Sequence, residues 1–178
     1  MTAARRPHPS HPNTAPAPFS GPRGPETVPA EVFGRVSAFR HPLDVRFFEV
    51  DSLGVVFNMW YLGWCDEAMS AFMESIGYGY KALRAQGYDA VLRNAELEWL
   101  DSLEAFQQAE VAVRVDHVGT TSFRLRYDIE RVPGSDHAGG EPTRCAQVAI
   151  TYVCVEIEGR KKAPLPLGLR AALVQDHT

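Results

Sequence analysis

Asp51 is the first residue whose type and position could do chemistry. It follows a β-rich run and precedes the turn at residues 52–54, after which an apolar helix is expected. A carboxylate in such a place can accept a proton from water as a general base, or attack a carbonyl carbon itself. An aspartate in a turn also commonly caps that turn through its side chain. The residues alone leave these interpretations open.

A long helix must follow Asp51 closely, because apolar residues recur at spacings of three and four between positions 59 and 76. Asn58 is a plausible N-terminal residue for this helix, and Gly77 followed by Gly79 supplies its stop. At ~1.5 Å per residue, the predicted helix is about five turns long. Its apolar face consists of Met59, Leu62, Cys65, Met69, Phe72, Met73 and Ile76.

Alternation with period two predicts one strand before this helix and four after it. The first strand is predicted over residues 45–50, where Val45, Phe47 and Glu49 alternate with their neighbours. Short links typical of antiparallel strands join the later four. The later strands are predicted at 91–100, 110–118, 122–132 and 145–157, and short helices at 81–86 and 169–174.

These elements predict an α+β fold in which one sheet curves around one helix. A helix that is apolar over much of its circumference needs such a sheet, and only one layer is available to provide it. A single sheet leaves strand edges uncovered, which favours a homodimer that extends the sheet. A dimer and a tetramer of two dimers both remain open.

Composition excludes several classes of protein. The 178 residues carry 18 Lys and Arg against 22 Asp and Glu, a net charge of −4, so the basic surface of a nucleic-acid-binding protein is not expected. No run of 18 apolar residues occurs, so no membrane span is expected. Three cysteines without paired spacing predict neither a disulfide framework nor a zinc site and favour the cytoplasm. No metal or cofactor is predicted.

A boundary is predicted near residue 35. Eight of the 13 prolines lie within residues 1–30, and this stretch has too little apolar surface to offset the entropy of ordering it. We therefore predict a disordered proline-rich tail at 1–35 and a single folded domain at 36–178.

Residues 46–66 resemble the signature of the hotdog-fold acyl-CoA thioesterases of the 4-hydroxybenzoyl-CoA thioesterase type. That signature consists of an aspartate, a Gly-Val-Val turn, a helix start, a tyrosine and an acidic residue one turn further on. Asp51, Gly54, Tyr61 and Asp66 occupy the matching positions. The resemblance covers residues 41 to about 170 and continues through 94–99, 118–123 and 160–166.

The resemblance implies a hotdog fold with about five antiparallel strands around the helix, and hydrolysis of an acyl-CoA thioester. Asp51 would be the general base or the nucleophile, and the backbone amide at Asn58 would polarise the thioester carbonyl. Tyr61 and Asp66 are candidate substrate contacts, although packing of Tyr61 and hydrogen bonding of Asp66 within the helix are alternatives. The CoA phosphates would lie against Gly119, Thr120, Thr121, Arg160, Lys161 and Lys162.

Two other functions stay open. A thioesterase acting on acyl groups bound to a carrier protein would use the same chemistry, and the Arg160 to Lys162 cluster could receive an acidic carrier. A hotdog protein that binds acyl-CoA without turnover is the other alternative, because Asn58 stands where many relatives have His and Met69 stands where they have Arg.

Overall fold

One long helix packed against a five-stranded antiparallel sheet organises the chain in the computed structural model, which describes residues 38–134 and 142–176. The predicted tail, residues 1–35, lies outside the described residues. None of the described helices is long and apolar enough to cross a membrane. In chain order the elements are β1 (Phe39–Asp44), a 3-10 turn (Phe47–Glu49), α1 (Trp60–Ser75), α2 (Tyr80–Ala85), β2 (Tyr88–Trp99), β3 (Gln108–Val118), β4 (Ser122–Arg131), β5 (Thr143–Glu156) and α3 (Leu167–Asp176).

The strand order in the sheet is β1-β3-β4-β5-β2, so β1 and β2 form its two edges. Strand β1 has six residues and contains Pro42, which has no N–H to offer a further strand. Strand β2 has twelve residues and no proline. The longer and less protected edge of the sheet is therefore β2.

The core lies between α1 and the inner face of the sheet. Alternate residues of β3, β4 and β5 are buried there, as the period of a strand requires. Within this core the hydroxyls of Tyr127 and Tyr152 form a hydrogen bond with each other at 2.8 Å. From α1 the buried side chains are Tyr61, Trp64, Cys65, Ala68, Phe72 and Met73. The α+β class and all four strands after the helix are thus confirmed, with ends shifted by up to three residues.

The predicted strand over 45–50 is wrong. The first strand ends at Asp44, and residues 47–49 form a 3-10 turn instead. Phe47 and Phe48 are exposed, whereas Glu49 is fully buried. The Glu49 carboxylate accepts the Arg46 backbone N–H at 2.8 Å, and this local bond closes a turn where the alternation suggested an extended chain.

The predicted start and apolar face of the long helix also need correction. Its N-cap is Met59 without a side-chain cap, so Asn58 lies in the preceding turn, and its 16 residues make about four and a half turns. Met59 and Leu62 are exposed, and the larger Tyr61 and Trp64 are buried in their place. The predicted stop at Gly77 is confirmed. Its φ is +79°, and the Tyr78 N–H bonds the Met73 carbonyl at 2.8 Å, which is a Schellman motif.

Candidate active site

Asp51 lies at the turn of a short backbone ladder between β1 and α1. The Phe57 N–H bonds the Glu49 carbonyl at 2.8 Å, and the Asp51 N–H bonds the Val55 carbonyl at 2.9 Å. Gly54 allows the tight return because its φ is +79°. The ladder is in turn fixed to the segment before β3, since the Val56 N–H bonds the Leu103 carbonyl at 2.8 Å. The position of Asp51 is thus set by backbone bonds on both sides.

The Asp51 carboxylate is half-buried and bonded on one oxygen. Oδ1 accepts the Leu53 N–H at 2.7 Å, which is the capping interaction expected of a turn aspartate. Oδ2 has no hydrogen-bond partner within the described ranges, 38–134 and 142–176. Capping and reactivity are therefore compatible, because each uses a different oxygen.

Asn58 is exposed and lies in the turn just before Met59, the N-cap of α1. Among the described residues, no acceptor bonds the backbone N–H of Asn58 or Met59. The first amides of a helix lack intrahelical partners, and the positive end of the helix dipole favours negative charge beside them. The amide at Asn58 can therefore bind an anion or a developing oxyanion, whatever its side chain.

Glu49 is a buried carboxylate that sequence reasoning missed as a functional candidate. Its Oε1 accepts hydrogen bonds from Arg46 Nε and from the Trp64 indole N–H, each at 3.1 Å. Because Trp64 belongs to α1, Glu49 ties the segment before Asp51 to the helix after it. The sequence signal is a glutamate three residues after the residue it caps, which is capping-box spacing.

Replacing Glu49 by Gln is expected to lower the free energy of unfolding by about 1–3 kcal/mol, because three N–H donors converge on the carboxylate and an amide offers only one acceptor oxygen. Urea unfolding measures this loss. The matched control is Glu158→Gln in the exposed turn after β5, where the carboxylate pairs with no described residue, and it should change stability by less than about 0.5 kcal/mol. Equal stability of Glu49→Gln and the parent would contradict the role assigned to Glu49.

Tyr61 and Asp66 lie on different sides of α1. Tyr61 is buried and packs against Trp64 with ring centroids 5.2 Å apart, and burial raises the pKa of its hydroxyl. Asp66 is exposed and forms no ion pair with any described residue. The packing interpretation is favoured for Tyr61, and a substrate contact stays a prediction for both residues.

The predicted phosphate-binding residues come together at the other end of the sheet. The Leu165 N–H, just after the basic cluster, bonds the Thr120 carbonyl at 2.8 Å. Arg160, Lys161 and Lys162 are exposed and form no ion pair within the described part of the chain. A cavity of about 580 Å³ lies at this end, lined by Arg84, Gln86, Gly87, Tyr88, Glu156, Ile157 and Glu158.

The candidate residues are therefore split within one chain. The Asp51 ladder bonds residues just before the start of β3, whereas Gly119 follows the end of β3 at Val118. Eleven residues of strand span roughly 33 Å at ~3.3 Å per residue. The carboxylate and the basic cluster thus lie at opposite ends of the sheet.

The cysteines do not supply a nucleophile. Cys65, Cys145 and Cys154 are all free and buried, and burial raises the pKa of each thiol. The thiolate is the reactive form of cysteine, and it is disfavoured in such surroundings. Asp51 remains the better candidate for attack or proton transfer.

A long helix packed on a five-stranded antiparallel sheet is the architecture of the hotdog class of α+β proteins. Residues 45–173 match the family model described as the thioesterase-like superfamily. Because this match covers well over half of the chain, the chain belongs to the thioesterase-like superfamily. The predicted hotdog fold is confirmed, and the 4-hydroxybenzoyl-CoA type within the superfamily stays a prediction.

Three similar proteins illustrate the range of the superfamily. A 1,4-dihydroxy-2-naphthoyl-CoA hydrolase of Synechococcus elongatus is 24% identical over 124 residues, 68% of this chain and 85% of that protein. An acyl-acyl carrier protein thioesterase of Arabidopsis thaliana is 29% identical over 86 residues, 48% of this chain but only 44% of its own length. The crystal structure of the dynemicin thioesterase, described with bound polyene, has a TM-score of 0.68 at 27% identity and covers 78% of this chain and 96% of that one.

Proposed function

We propose that this chain hydrolyses acyl-CoA thioesters to the free acid and CoA. Membership of the thioesterase-like superfamily supports thioester chemistry, and the cyanobacterial relative named as a CoA-thioester hydrolase supports CoA as the carrier. The observation that carries the proposal is that one short segment holds both Asp51 Oδ2 and the Asn58 N–H, neither of which bonds any described residue.

The proposed chemistry follows from these two groups. As a base, Asp51 takes a proton from water while the water oxygen bonds the carbonyl carbon. The C–S bond then breaks and the thiolate receives the proton. As a nucleophile, Asp51 Oδ2 itself bonds the carbonyl carbon and expels the thiolate, and water then cleaves the mixed anhydride. In either route the Asn58 amide stabilises the charge that develops on the carbonyl oxygen.

The edge strand β2 favours a homodimer. Residues 91–96 and 98–99 are exposed, Val91, Leu92 and Trp99 among them, and a long edge strand without a partner is a template for pairing with another strand. A twofold axis through the middle of β2 would pair it antiparallel with the partner's β2. The two sheets would then form one continuous sheet.

Such pairing would also unite the divided site. Tyr88 at one end of β2 pairs with Glu156, beside the basic cluster, and Trp99 at the other end pairs with Ala146, beside the Asp51 end. Antiparallel pairing sets the Tyr88 end of one β2 strand beside the Trp99 end of the partner's β2 strand. We therefore propose that each site combines Asp51 and Asn58 of one chain with Arg160 to Lys162 of the other.

Carrier-bound acyl groups are the second candidate substrate. The plant relative is named for that activity, and the basic cluster, which no described carboxylate pairs with, offers complementary charge to an acidic carrier. Both substrates present the same thioester to Asp51. The two functions therefore differ only in what the basic cluster binds.

Release of free thiol from a panel of substrates tests the proposal. The panel contains acetyl-CoA, octanoyl-CoA, an aromatic acyl-CoA and the same acyl groups on a carrier protein. We expect kcat/KM to be at least about tenfold higher for CoA thioesters than for carrier-bound ones. The reverse preference would favour the carrier function, and a tight acyl-CoA complex without thiol release would favour the binding-only alternative.

We also propose that the protein works in the cytoplasm. All three cysteines are free, which suits a reducing compartment. Fractionation of cells that produce the full chain tests this, and recovery in an oxidising compartment would contradict it.

A further inference from the structure

Two exposed phenylalanine rings stack on each other beside the Asp51 ladder. Phe47 is 71% exposed and Phe106 is 77% exposed. Their ring centroids lie 6.2 Å apart, and the ring planes differ by only 13°. Two large apolar side chains that remain so open in a folded chain mark a surface that binds something.

The backbone holds Phe106 in a strained conformation. Its φ is +67°, in the left-handed region that a bulky side chain rarely adopts. The Phe106 N–H bonds the Val45 carbonyl at 2.8 Å, and the Gln107 N–H bonds the Glu104 carbonyl at 3.3 Å. These bonds present the ring to solvent against its local preference, and strain of this kind clusters at binding sites.

Both rings belong to backbone segments that are bonded to, or lead into, the ladder at Asp51. Phe47 begins the 3-10 turn that leads into Asp51. Phe106 follows Leu103 and Glu104, which pair with Val56 and Val55 of the Asp51 ladder. A ligand that reaches Asp51 therefore has this apolar pair on the adjoining backbone.

We propose that the stacked pair of Phe47 and Phe106 binds the part of the acyl group farthest from the thioester carbonyl and selects long or flat apolar acyl groups. This inference rests on the proposed thioesterase function and adds a substrate class to it. Two parallel rings offer flat apolar faces suited to an extended chain or a second ring. Short acyl groups such as acetyl end before they reach the pair.

The test compares acyl-length profiles in three variants. Phe106→Gly removes the ring and suits the positive φ, and Phe106→Tyr keeps a flat ring. Leu167→Ala is the control, because it removes a similarly exposed apolar side chain at the start of α3. Affinity is measured by calorimetry with non-hydrolysable thioether analogues of acetyl-CoA and dodecanoyl-CoA. The corresponding thioesters give kcat/KM.

Phe106→Gly should weaken binding of the dodecanoyl analogue and lower kcat/KM for its thioester by at least about tenfold, because one aromatic contact is lost. The acetyl compounds should change by less than about twofold, and Phe106→Tyr and Leu167→Ala should match the parent within that margin. Equal losses at both lengths, or no loss at either, would overturn the inference. A weaker dimer with an unchanged length profile would assign the rings to subunit contact and would also overturn it.

The failure of this inference is distinguishable from the failure of the proposed function. If the parent binds the long analogue through Phe106 but releases no thiol from any thioester, the acyl-binding role of the pair is supported and the proposed hydrolysis is wrong. If the parent hydrolyses thioesters and Phe106→Gly keeps the parental length profile, the proposed hydrolysis is supported and the acyl-binding role of the pair is wrong.

Discussion

Replacing Asp51 by asparagine is expected to lower kcat for acyl-CoA hydrolysis by at least about 100-fold, because an amide can neither take a proton from water nor form an anhydride. The substitution is conservative for the fold. Asparagine keeps an Oδ1 that can accept the Leu53 N–H, the bond that closes the turn. Initial rates of thiol release, together with urea unfolding of both proteins, separate the chemical effect from any loss of stability.

A matched control is Asp44→Asn, the same substitution at an exposed position that ends β1. Its kcat should stay within about twofold of the parent, since surface changes away from a site have small effects. If Asp51→Asn released thiol as fast as the parent and the control, Asp51 would not be the reacting group.

Mixing two impaired variants is expected to restore activity. Asp51→Asn lacks the carboxylate, and R160A/K161A/K162A lacks the basic cluster, which should cost at least about tenfold in kcat/KM for acyl-CoA. After random subunit exchange, half of the dimers contain one chain of each kind. Each such dimer holds one complete site if the site is shared, so the mixture should reach about a quarter of the parental activity.

The mixing experiment carries its own controls. The triple variant should hydrolyse an acyl-pantetheine thioester at the parental rate, because that substrate has no nucleotide for the basic cluster to bind. Each variant exchanged with itself should stay at its own low rate. Activity of the mixture no higher than the mean of the two variants would contradict a site shared between subunits, as would a monomer in analytical ultracentrifugation.

Regular periodicity made most of the fold predictable. Strands β3, β4 and β5 alternate small or polar residues with Val, Ile, Phe and Tyr, and one face of each is buried, whereas no residue of the edge strand β2 is buried. The helix end was predictable because Gly77 readily adopts the positive φ that a helix end requires. A hydrophobic periodicity that extends over about ten residues predicts the same element that the folded chain contains.

Local side-chain bonds explain the errors before the helix. Glu49 sits at an apolar position of the alternation, so residues 45–50 read as a strand. The Glu49 carboxylate instead bonds Arg46 and Trp64 in the core. Burial of a charged group depends on partners that meet only in the folded chain. Trp64, which the predicted apolar face omitted, is buried on α1 and donates its indole N–H to the same carboxylate.

The arrangement of the candidate site depends on strand order, which a single sequence does not reveal. Asp51 and Asn58 are close in the chain, and the turn at Gly54 was predicted, but the backbone ladder on either side of that turn was not. The separation of Asp51 from Arg160 to Lys162 became visible only through the pairing of β2, β3 and β5. The stacked Phe47 and Phe106 rings are 59 positions apart and belong to no periodic element.

A crystal structure of the Asp51→Asn variant with unhydrolysed acyl-CoA tests the central claim most directly. The predicted result has the thioester carbonyl oxygen within hydrogen-bond distance of the Asn58 N–H, and the nucleotide phosphates beside the partner's Arg160, the partner's Lys161 and the partner's Lys162. A carbonyl oxygen bound away from the start of α1, with the side chain of residue 51 out of contact with the thioester, would contradict it.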